Sequence, residues 1–147
     1  DPNWDVFKVD SFSLTTWRLR NGTLSSTYVS DERYLEVDPP PSVVIQPSVF
    51  ETVSVSSVQN PTQLEIKLEA RTQQSVPIQT IALLDHTTQQ FVTVDSRAAS
   101  TTDQLASVLV PTPARFVGPN GQVRMRLNWR SARPGRVYLD WIQLRTQ

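Results

Sequence analysis

The segment Gln63–Ala70, with the sequence QLEIKLEA, is the clearest indication of the fold class. Apolar and charged side chains alternate along it: Leu64, Ile66, Leu68 and Ala70 are separated by Glu65, Lys67 and Glu69. A period of two is typical of a β-strand with one face on a core and the other in water. Gln122–Arg130 repeats the pattern, with Val123, Met125, Leu127 and Trp129 predicted inward and Arg124, Arg126, Asn128 and Arg130 outward.

No long window of the chain keeps the spacing of apolar residues that an amphipathic helix requires. Turn residues such as Asn21-Gly22, Asp85–Thr88, Pro119–Gly121 and Pro134-Gly135 separate the candidate strands. Short strands joined by turns bury their apolar faces best as two packed antiparallel sheets, so we predict an all-β, two-sheet antiparallel β-sandwich. The other predicted strands are Asp5–Val9, Phe12–Arg20, Arg33–Val37, Val49–Val58, Val76–Leu84, Phe91–Val94, Leu105–Val110 and Arg136–Arg145.

Length and composition restrict the function further. A chain of 147 residues is about one domain long, so we predict a single domain over residues 1–147, with Pro39-Pro40-Pro41 at a crossover between the sheets. The chain has 14 basic residues (lysine and arginine) and 14 acidic residues (aspartate and glutamate), so its formal net charge is zero. This balance argues against nucleic acid as a partner. Because there is no cysteine, disulfides and thiol nucleophiles are excluded.

The first residue and the composition favour an extracellular or cell-surface location. The longest apolar stretches, such as Ile81–Leu84, are far too short for membrane insertion. The chain begins with Asp1 rather than Met, so we expect that a leading segment was removed or that the domain was cut from a longer protein. Lysine occurs only as Lys8 and Lys67, and charged residues are 19 % of the chain.

The sequence predicts no enzyme and no cofactor. Its single histidine, His86, lies in a predicted hairpin loop without the context of a hydrolase or metalloprotease motif. A two-carboxylate site is the minor alternative, because the acids at strand ends cannot be paired from sequence; they are Asp31, Glu32, Asp38, Asp95, Asp103 and Asp140. We predict a metal-free fold, the alternative being one structural calcium ion held by scattered loop oxygens.

Two groups of side chains are candidates for binding. Trp129 is predicted to be a core residue, whereas Trp141 is either core or exposed at a binding surface, since both faces of its strand carry apolar groups. We predict that Arg124 and Arg126 lie on the same outer surface as Glu65 and Glu69 and pair with them. The alternative is a glycan site formed by Trp141, Arg124, Arg126 and Arg130.

Several stretches resemble known domains. The segment GRVYLDWIQL at 135–144 is similar to the last strand of jelly-roll carbohydrate-binding modules. The segments at 16–24 and 30–37, and the hairpin of 81–88 with 91–95, resemble uncharacterised β-sandwich domains appended to secreted bacterial proteins. That hairpin departs from its relatives at Leu84 and Asp85 and lacks a glycine in the loop. The resemblance implies a secreted, jelly-roll-like, non-catalytic sandwich and supplies no substrate.

Two functional hypotheses follow. The first, which we favour slightly from sequence, is a structural subunit that self-associates into a surface fibre or layer by strand addition at sheet edges. Residues 1–10 would then be an exchanged strand, contributing Trp4, Val6, Phe7 and Val9, although closing its own sheet is the alternative. The second hypothesis is a carbohydrate-binding module of a secreted protein, with a polysaccharide as partner.

Overall fold

The computed structural model describes residues 3–39, 49–74, 77–130 and 135–147. Within these ranges there is no α-helix, and three single 3-10 turns lie at Leu24–Thr27, Pro113–Phe116 and Pro119–Gly121. Eleven strands make up the rest of the regular structure. They are β1 (Asp5–Phe7), β2 (Val9–Thr15), β3 (Arg18–Asn21), β4 (Leu35–Asp38), β5 (Val49–Val55), β6 (Leu64–Thr72), β7 (Ile78–Asp85), β8 (Gln90–Ala98), β9 (Gln104–Leu109), β10 (Gln122–Arg130) and β11 (Val137–Thr146).

The strands form two sheets. Sheet A has the order β3-β4-β11-β6-β9, and β1 pairs with β11 as well. Sheet B has the order β2-β5-β10-β7-β8. Every pairing is antiparallel. Most consecutive strands lie in opposite sheets, so the chain crosses repeatedly over one shared core. The predicted two-sheet antiparallel sandwich is confirmed.

The core contains every residue that the alternating pattern predicted to be inside. Leu64, Ile66, Leu68, Val123, Met125 and Leu127 are 0 % exposed, and Trp129 is 3 % exposed. The buried indole N–H of Trp129 has a hydrogen-bond partner, since it donates to Gln79 Oε1 at 3.0 Å. Trp17 packs edge-on against its ring, with centroids 6.2 Å apart.

The N-terminal strands differ from prediction because the chain changes sheets twice. The predicted strand Asp5–Val9 is split at Lys8, with β1 in sheet A and Val9 starting β2 in sheet B. The predicted strand Phe12–Arg20 is split at Thr16, whose φ of 66° reverses the chain into sheet A. The first break leaves the period-two alternation intact, since Phe7 and Val9 are both buried. The second break coincides with a change of phase, from Phe12 and Leu14 to Trp17 and Leu19.

The predicted pairing of Arg124 and Arg126 with Glu65 and Glu69 is wrong. The two arginines lie on β10 in sheet B, and the two glutamates lie on β6 in sheet A. Their outward faces therefore point to opposite sides of the sandwich. The arginines pair instead with Glu51 on β5, the antiparallel neighbour of β10.

Strand β11 contains a bulge that decides which side chains point outward. Its register with β6 shifts between Leu139 and Trp141, so Asp140 is an extra residue on β11. Before the bulge Val137 and Leu139 point into the core, and after it the phase changes so that Ile142 also points inward. The bulge explains why both faces of this strand look apolar in the sequence, and it directs Trp141 to the outer face of sheet A.

The crossover predicted near Pro39-Pro40-Pro41 has flanking strands in different sheets, β4 in sheet A and β5 in sheet B. Pro40 and Pro41 themselves lie outside the described residues. Among the residues that the structure describes, no helix is long and apolar enough to cross a membrane.

Replacing Trp129 tests this account of the core. Trp129→Ala removes a 3 % exposed ring, its contact with Trp17 and its bond to Gln79. We expect a loss of about 3 to 5 kcal/mol in the free energy of unfolding, measured by urea denaturation. A loss below about 1 kcal/mol would contradict this placement.

Candidate functional site

Four aromatic side chains lie on the outer face of sheet A. They are Trp4, which precedes β1, Tyr34, which precedes β4, and Tyr138 and Trp141 on β11. All four are partly exposed. We call this surface, with the charged residues between the rings, the aromatic face. Along β11 it extends from Tyr138 to Arg145, roughly 23 Å at the rise of an extended strand.

Strand register places these rings. Tyr138 lies opposite Arg71 and Trp141 opposite Glu69, both on β6. At the other end, β1 pairs with the end of β11 and sets Val6 opposite Arg145. Trp4 is two residues before Val6 and has the same outward phase, which brings its ring to Arg145. The aromatic face is therefore assembled from loops and strands that are distant in sequence.

Each ring on the aromatic face contacts a cation. The Arg71 guanidinium carbon lies 3.8 Å from the Tyr138 ring centre and 4.8 Å from that of Tyr34. Arg145 lies 4.2 Å from the Trp4 ring centre, and Lys67 Nζ lies 5.6 Å from that of Trp141. Such contacts contribute about 0.5 to 1 kcal/mol at exposed sites. They hold the rings in place and leave part of each ring accessible.

The same cations are neutralised by acids. Arg145 donates to both carboxylate oxygens of Glu65, at 3.1 and 3.2 Å, and Lys67 Nζ lies 3.9 Å from Glu65. Arg71 lies 4.0 Å from Asp103, which also accepts a hydrogen bond from the Tyr34 hydroxyl at 2.9 Å. The aromatic face therefore combines flat apolar rings with fixed donors and acceptors, and it carries little net charge.

The carboxyl group of Asp140 lies beneath this face. Asp140 is 1 % exposed, and its Oδ1 accepts the amides of Asp31 and Glu32 at 3.1 and 2.9 Å. Glu69 accepts a hydrogen bond from Ser30 Oγ at 2.5 Å, so two carboxyl groups fix the loop that leads to Tyr34. Burial, together with the neighbouring Glu69 carboxyl, raises the pKa of Asp140, although the two loop amides oppose that shift.

Among the described residues, Glu69, Asp103 and Asp140 form a group that could hold a metal ion. Their ligand oxygens lie within 4.8 Å of one another. Calcium takes about 6 to 8 oxygen ligands, so the three acids would need waters or second carboxylate oxygens to complete a site. The calcium ion kept as an alternative in the sequence analysis stays a prediction, and these are the residues it would use.

The arginine group lies on the opposite outer surface. Arg124 and Arg126 both contact Glu51, at 2.5 and 2.8 Å, and Arg126 also stacks on Phe91 at 3.7 Å. Burial by itself would raise the pKa of Glu51, but the two arginine hydrogen bonds outweigh burial and lower it. Arg130 is exposed further along the same strand. The structure does not bring this group together with Trp141, which lies on sheet A.

The residues of the predicted assembly strand lie within the chain's own fold. Residues 5–7 form β1 and pair with β11 of the same chain, which is the closing arrangement kept as the alternative. Phe7 and Val9 are buried in the core, and Val6 is 53 % exposed. Trp4 contacts Arg145 and belongs to the aromatic face.

His86 differs from the solvated loop residue expected from sequence. It is partly buried, its amide donates to the Arg115 carbonyl at 2.9 Å, and its ring covers Gly118. A β-carbon at Gly118 would come within 2.3 Å of the ring, so the glycine makes room for it. His86 therefore packs two loops together.

Comparisons with known proteins identify the fold. No family model matches the chain, and no curated protein matches it. Among solved structures, the chain is similar to a family 29 carbohydrate-binding module from Piromyces equi, with a TM-score of 0.59, 10 % identity, and coverage of 99 % of this chain and 91 % of the other. A family 4 carbohydrate-binding module aligns with a TM-score of 0.57 and 10 % identity over 98 % of this chain and 86 % of its own.

A third similar structure is the C-terminal family 6 carbohydrate-binding module of the laminarinase LamC from Zobellia galactanivorans. Its TM-score is 0.55 and its identity 10 %, over 99 % of this chain and 100 % of its own. Four variants of a second family 29 module also align with the chain. Each carries one substitution made to probe ligand recognition, at an aspartate, a tyrosine, a lysine or an arginine. The resemblance in fold to jelly-roll carbohydrate-binding modules is confirmed.

The sequence analysis missed three members of the aromatic face. The patterns in the sequence do not single out Tyr34, Tyr138 or Arg71 as binding residues, and they indicate strand exchange for Trp4. One signal was available: Tyr138 and Trp141 flank an aspartate on a strand whose alternation breaks there. A broken alternation is what a β-bulge produces.

Replacing Asp140 tests the buried carboxyl. Because its pKa is raised in the folded protein, the protonated form is favoured by folding, and that stabilisation is lost as pH rises through the raised pKa. Asp140→Asn keeps a neutral acceptor for the loop amides. We expect a higher melting temperature than wild type at pH 7 with EDTA present, and a difference that shrinks as pH falls toward about 4.

The matched control is Asp38→Asn, which removes a partly buried partner of Arg136 at 2.7 Å. It should lower stability slightly at pH 7, by less than about 1 kcal/mol. A melting temperature of Asp140→Asn below wild type at pH 7 in EDTA would contradict the assignment. Loss of stability only when calcium is present would support the metal alternative.

Proposed function

We propose that this chain is a non-catalytic carbohydrate-binding module of a secreted protein and that the aromatic face binds a polysaccharide. The observation that carries the proposal is the row of four partly exposed rings, Trp4, Tyr34, Tyr138 and Trp141, on one sheet surface. Aromatic faces stack on the apolar C–H faces of sugar rings, and the polar groups between them can bond to hydroxyls.

The kinds of side chain on this surface support the proposal. The family 29 module was probed for ligand recognition at a tyrosine, a lysine, an arginine and an aspartate. The aromatic face presents the same four kinds of side chain: Arg71 contacts Tyr138 and Asp103, and Lys67 contacts Trp141 further along the face. This correspondence is one of chemistry, since identity is about a tenth.

The balance of charge on the aromatic face favours a neutral polysaccharide. Arg145 and Lys67 share Glu65, and Arg71 is paired with Asp103. A uronic acid would have to compete with these carboxylates for their cations. Neutral hydroxyls can bond to both partners of each ion pair without separating them.

A non-enzymatic role is consistent with the buried acids. Asp140 offers an oxygen within 4.8 Å of those of Glu69 and Asp103, but it is 1 % exposed and bonded to loop amides. It therefore cannot reach a glycosidic oxygen, as a general acid must. An extracellular location follows from the proposed role.

The comparisons favour this function over the structural subunit that the sequence analysis ranked first. Nothing in the described residues supports a fibre or layer, and β1 closes its own sheet. Self-association at a different sheet edge is a separate question that does not require a fibre.

The decisive test replaces Trp141. Trp141→Ala should abolish retention on whichever of insoluble cellulose, β-1,3-glucan and mannan the wild type binds, because it removes the central ring of the face. Thermal unfolding should move by less than about 4 °C, since the ring is partly exposed. Affinity electrophoresis or a pull-down measures retention, and calorimetry measures unfolding.

Phe91→Ala is the matched control, because Phe91 is a partly buried aromatic residue stacked by an arginine on the outer face of sheet B. It should bind as wild type does. Equal loss of binding in both variants, or a large loss of stability in Trp141→Ala, would place Trp141 in packing rather than in recognition. Failure of the wild type to bind any glycan in a broad array would reject the function itself.

Salt dependence tests the class of polysaccharide. Because the cations of the face are paired, the dissociation constant for a neutral glycan should change by less than about threefold between about 0.05 and 0.5 M NaCl. Binding to pectate or alginate should be weaker than to neutral glycans. Isothermal titration would measure both, and a preference for uronic acids with strong salt sensitivity would show that the ion pairs open for the ligand.

A further inference from the structure

Strand β9 is an edge strand of sheet A that carries no charged residue. It is the last strand in the order β3-β4-β11-β6-β9 and pairs only with β6 among the described strands. Two of its side chains on the outer surface are large and apolar, Leu105 at 45 % and Leu109 at 62 % exposure. Leu109 is the most exposed large apolar residue of the described chain.

The backbone of β9 leaves alternate polar groups unpaired. The Val110 amide donates to the Leu64 carbonyl of β6 at 2.8 Å. Since main-chain groups alternate in direction along an antiparallel strand, Val108, Ala106 and Gln104 also face β6. Leu105, Ser107 and Leu109 therefore turn their N–H and C=O groups away from the sheet. No described residue bonds to them.

Three other described edge strands are protected. β2 contains Asp10 and a register shift between Val9 and Ser11. β3 is only four residues long and carries Arg18 and Arg20. β8 contains Asp95 and Arg97, and its pairing with β7 has a register shift. Charges, bulges and short length are the usual protections against strand addition. Strand β9 (QLASVL) has no charge, proline or bulge.

We propose that β9 pairs antiparallel with β9 of a second copy of this chain, about a two-fold axis through Ser107. A two-fold contact requires a surface that complements itself. An uncharged strand meets this condition, because no charged residue of β9 is placed against its own copy. The two copies of sheet A would then form one continuous sheet.

The register is fixed by the outward groups. Pairing Ser107 with Ser107 sets Leu105 against the partner's Leu109, so all three outward residues of each copy exchange hydrogen bonds. The four leucines then cover one another on the outer surface. A shift by two residues would set Leu109 against the partner's Asp103 and leave apolar surface exposed. The Ser107 register is therefore the favoured one.

The contact is expected to be weak. A six-residue strand pair buries less than the roughly 1,000 Å² of a stable interface. It would form at high concentration or where copies gather on a common ligand.

In such a pair the two aromatic faces lie on the same side of one sheet, and two linked sites gain affinity for a long polymer. The dimer itself does not depend on glycan binding.

Sedimentation equilibrium of the full chain, without any glycan, tests the pairing from micromolar to millimolar concentration. The average mass should rise from 16.6 kDa toward twice that value. Ser107→Lys and Ser107→Glu, each alone, should stay monomeric, because like charges would face each other at the axis. An equimolar mixture of the two variants should dimerise again. Both changes are at an exposed position, so folding should be unaffected.

Ser13→Lys, on the protected edge strand β2, is the matched control and should dimerise as wild type does. Hydrogen exchange gives a second measurement: the amides of Leu105, Ser107 and Leu109 should gain protection with concentration. A wild type that stays monomeric at millimolar concentration would overturn the proposal. So would dimerisation of Ser107→Lys as tight as that of the wild type.

Discussion

The β-bulge at Asp140 allows both halves of β11 to pack into the core. Without it, β11 would continue in one phase, and either Val137 and Leu139 or Ile142 and Leu144 would leave the core. The bulge lets both pairs point inward. It requires a residue that can be buried in the ladder, and Asp140 fills this position by accepting two amides from the loop at residues 31–32.

The functional surface follows from that local irregularity. Because the phase changes at Asp140, Trp141 points outward beside Glu69, and Tyr138 stays on the same outer surface. The loop that Asp140 fixes leads directly to Tyr34, whose ring packs on Tyr138 with centroids 5.5 Å apart. Cations then stack on the rings and are paired with acids. A surface ordered before binding loses less conformational entropy when a ligand arrives.

The edge strands of the two sheets differ in their protection against strand addition. Three edges carry charges or irregular pairing, which prevent unwanted strand addition. Strand β9 has neither, although it borders the sheet that carries the aromatic face. Association through β9 would leave every strand in its own chain. It therefore differs from the strand exchange that the N-terminal sequence suggests for residues 1–10.

The fold class and most of the core could be predicted from the order of apolar and polar residues along the chain. Strict alternation in β6 and β10 predicted eight buried residues, including Ala70, and all eight are buried, because a period of two leaves each side chain only one choice of face. It did not determine which strands become neighbours. Arg124 and Arg126 were therefore paired with the wrong glutamates, since strand order depends on long-range packing. Only the tertiary structure gathered Trp4, Tyr34, Tyr138 and Trp141 on one face. These residues come from three separate parts of the chain, and a bulge of one residue decides the direction of the last of them.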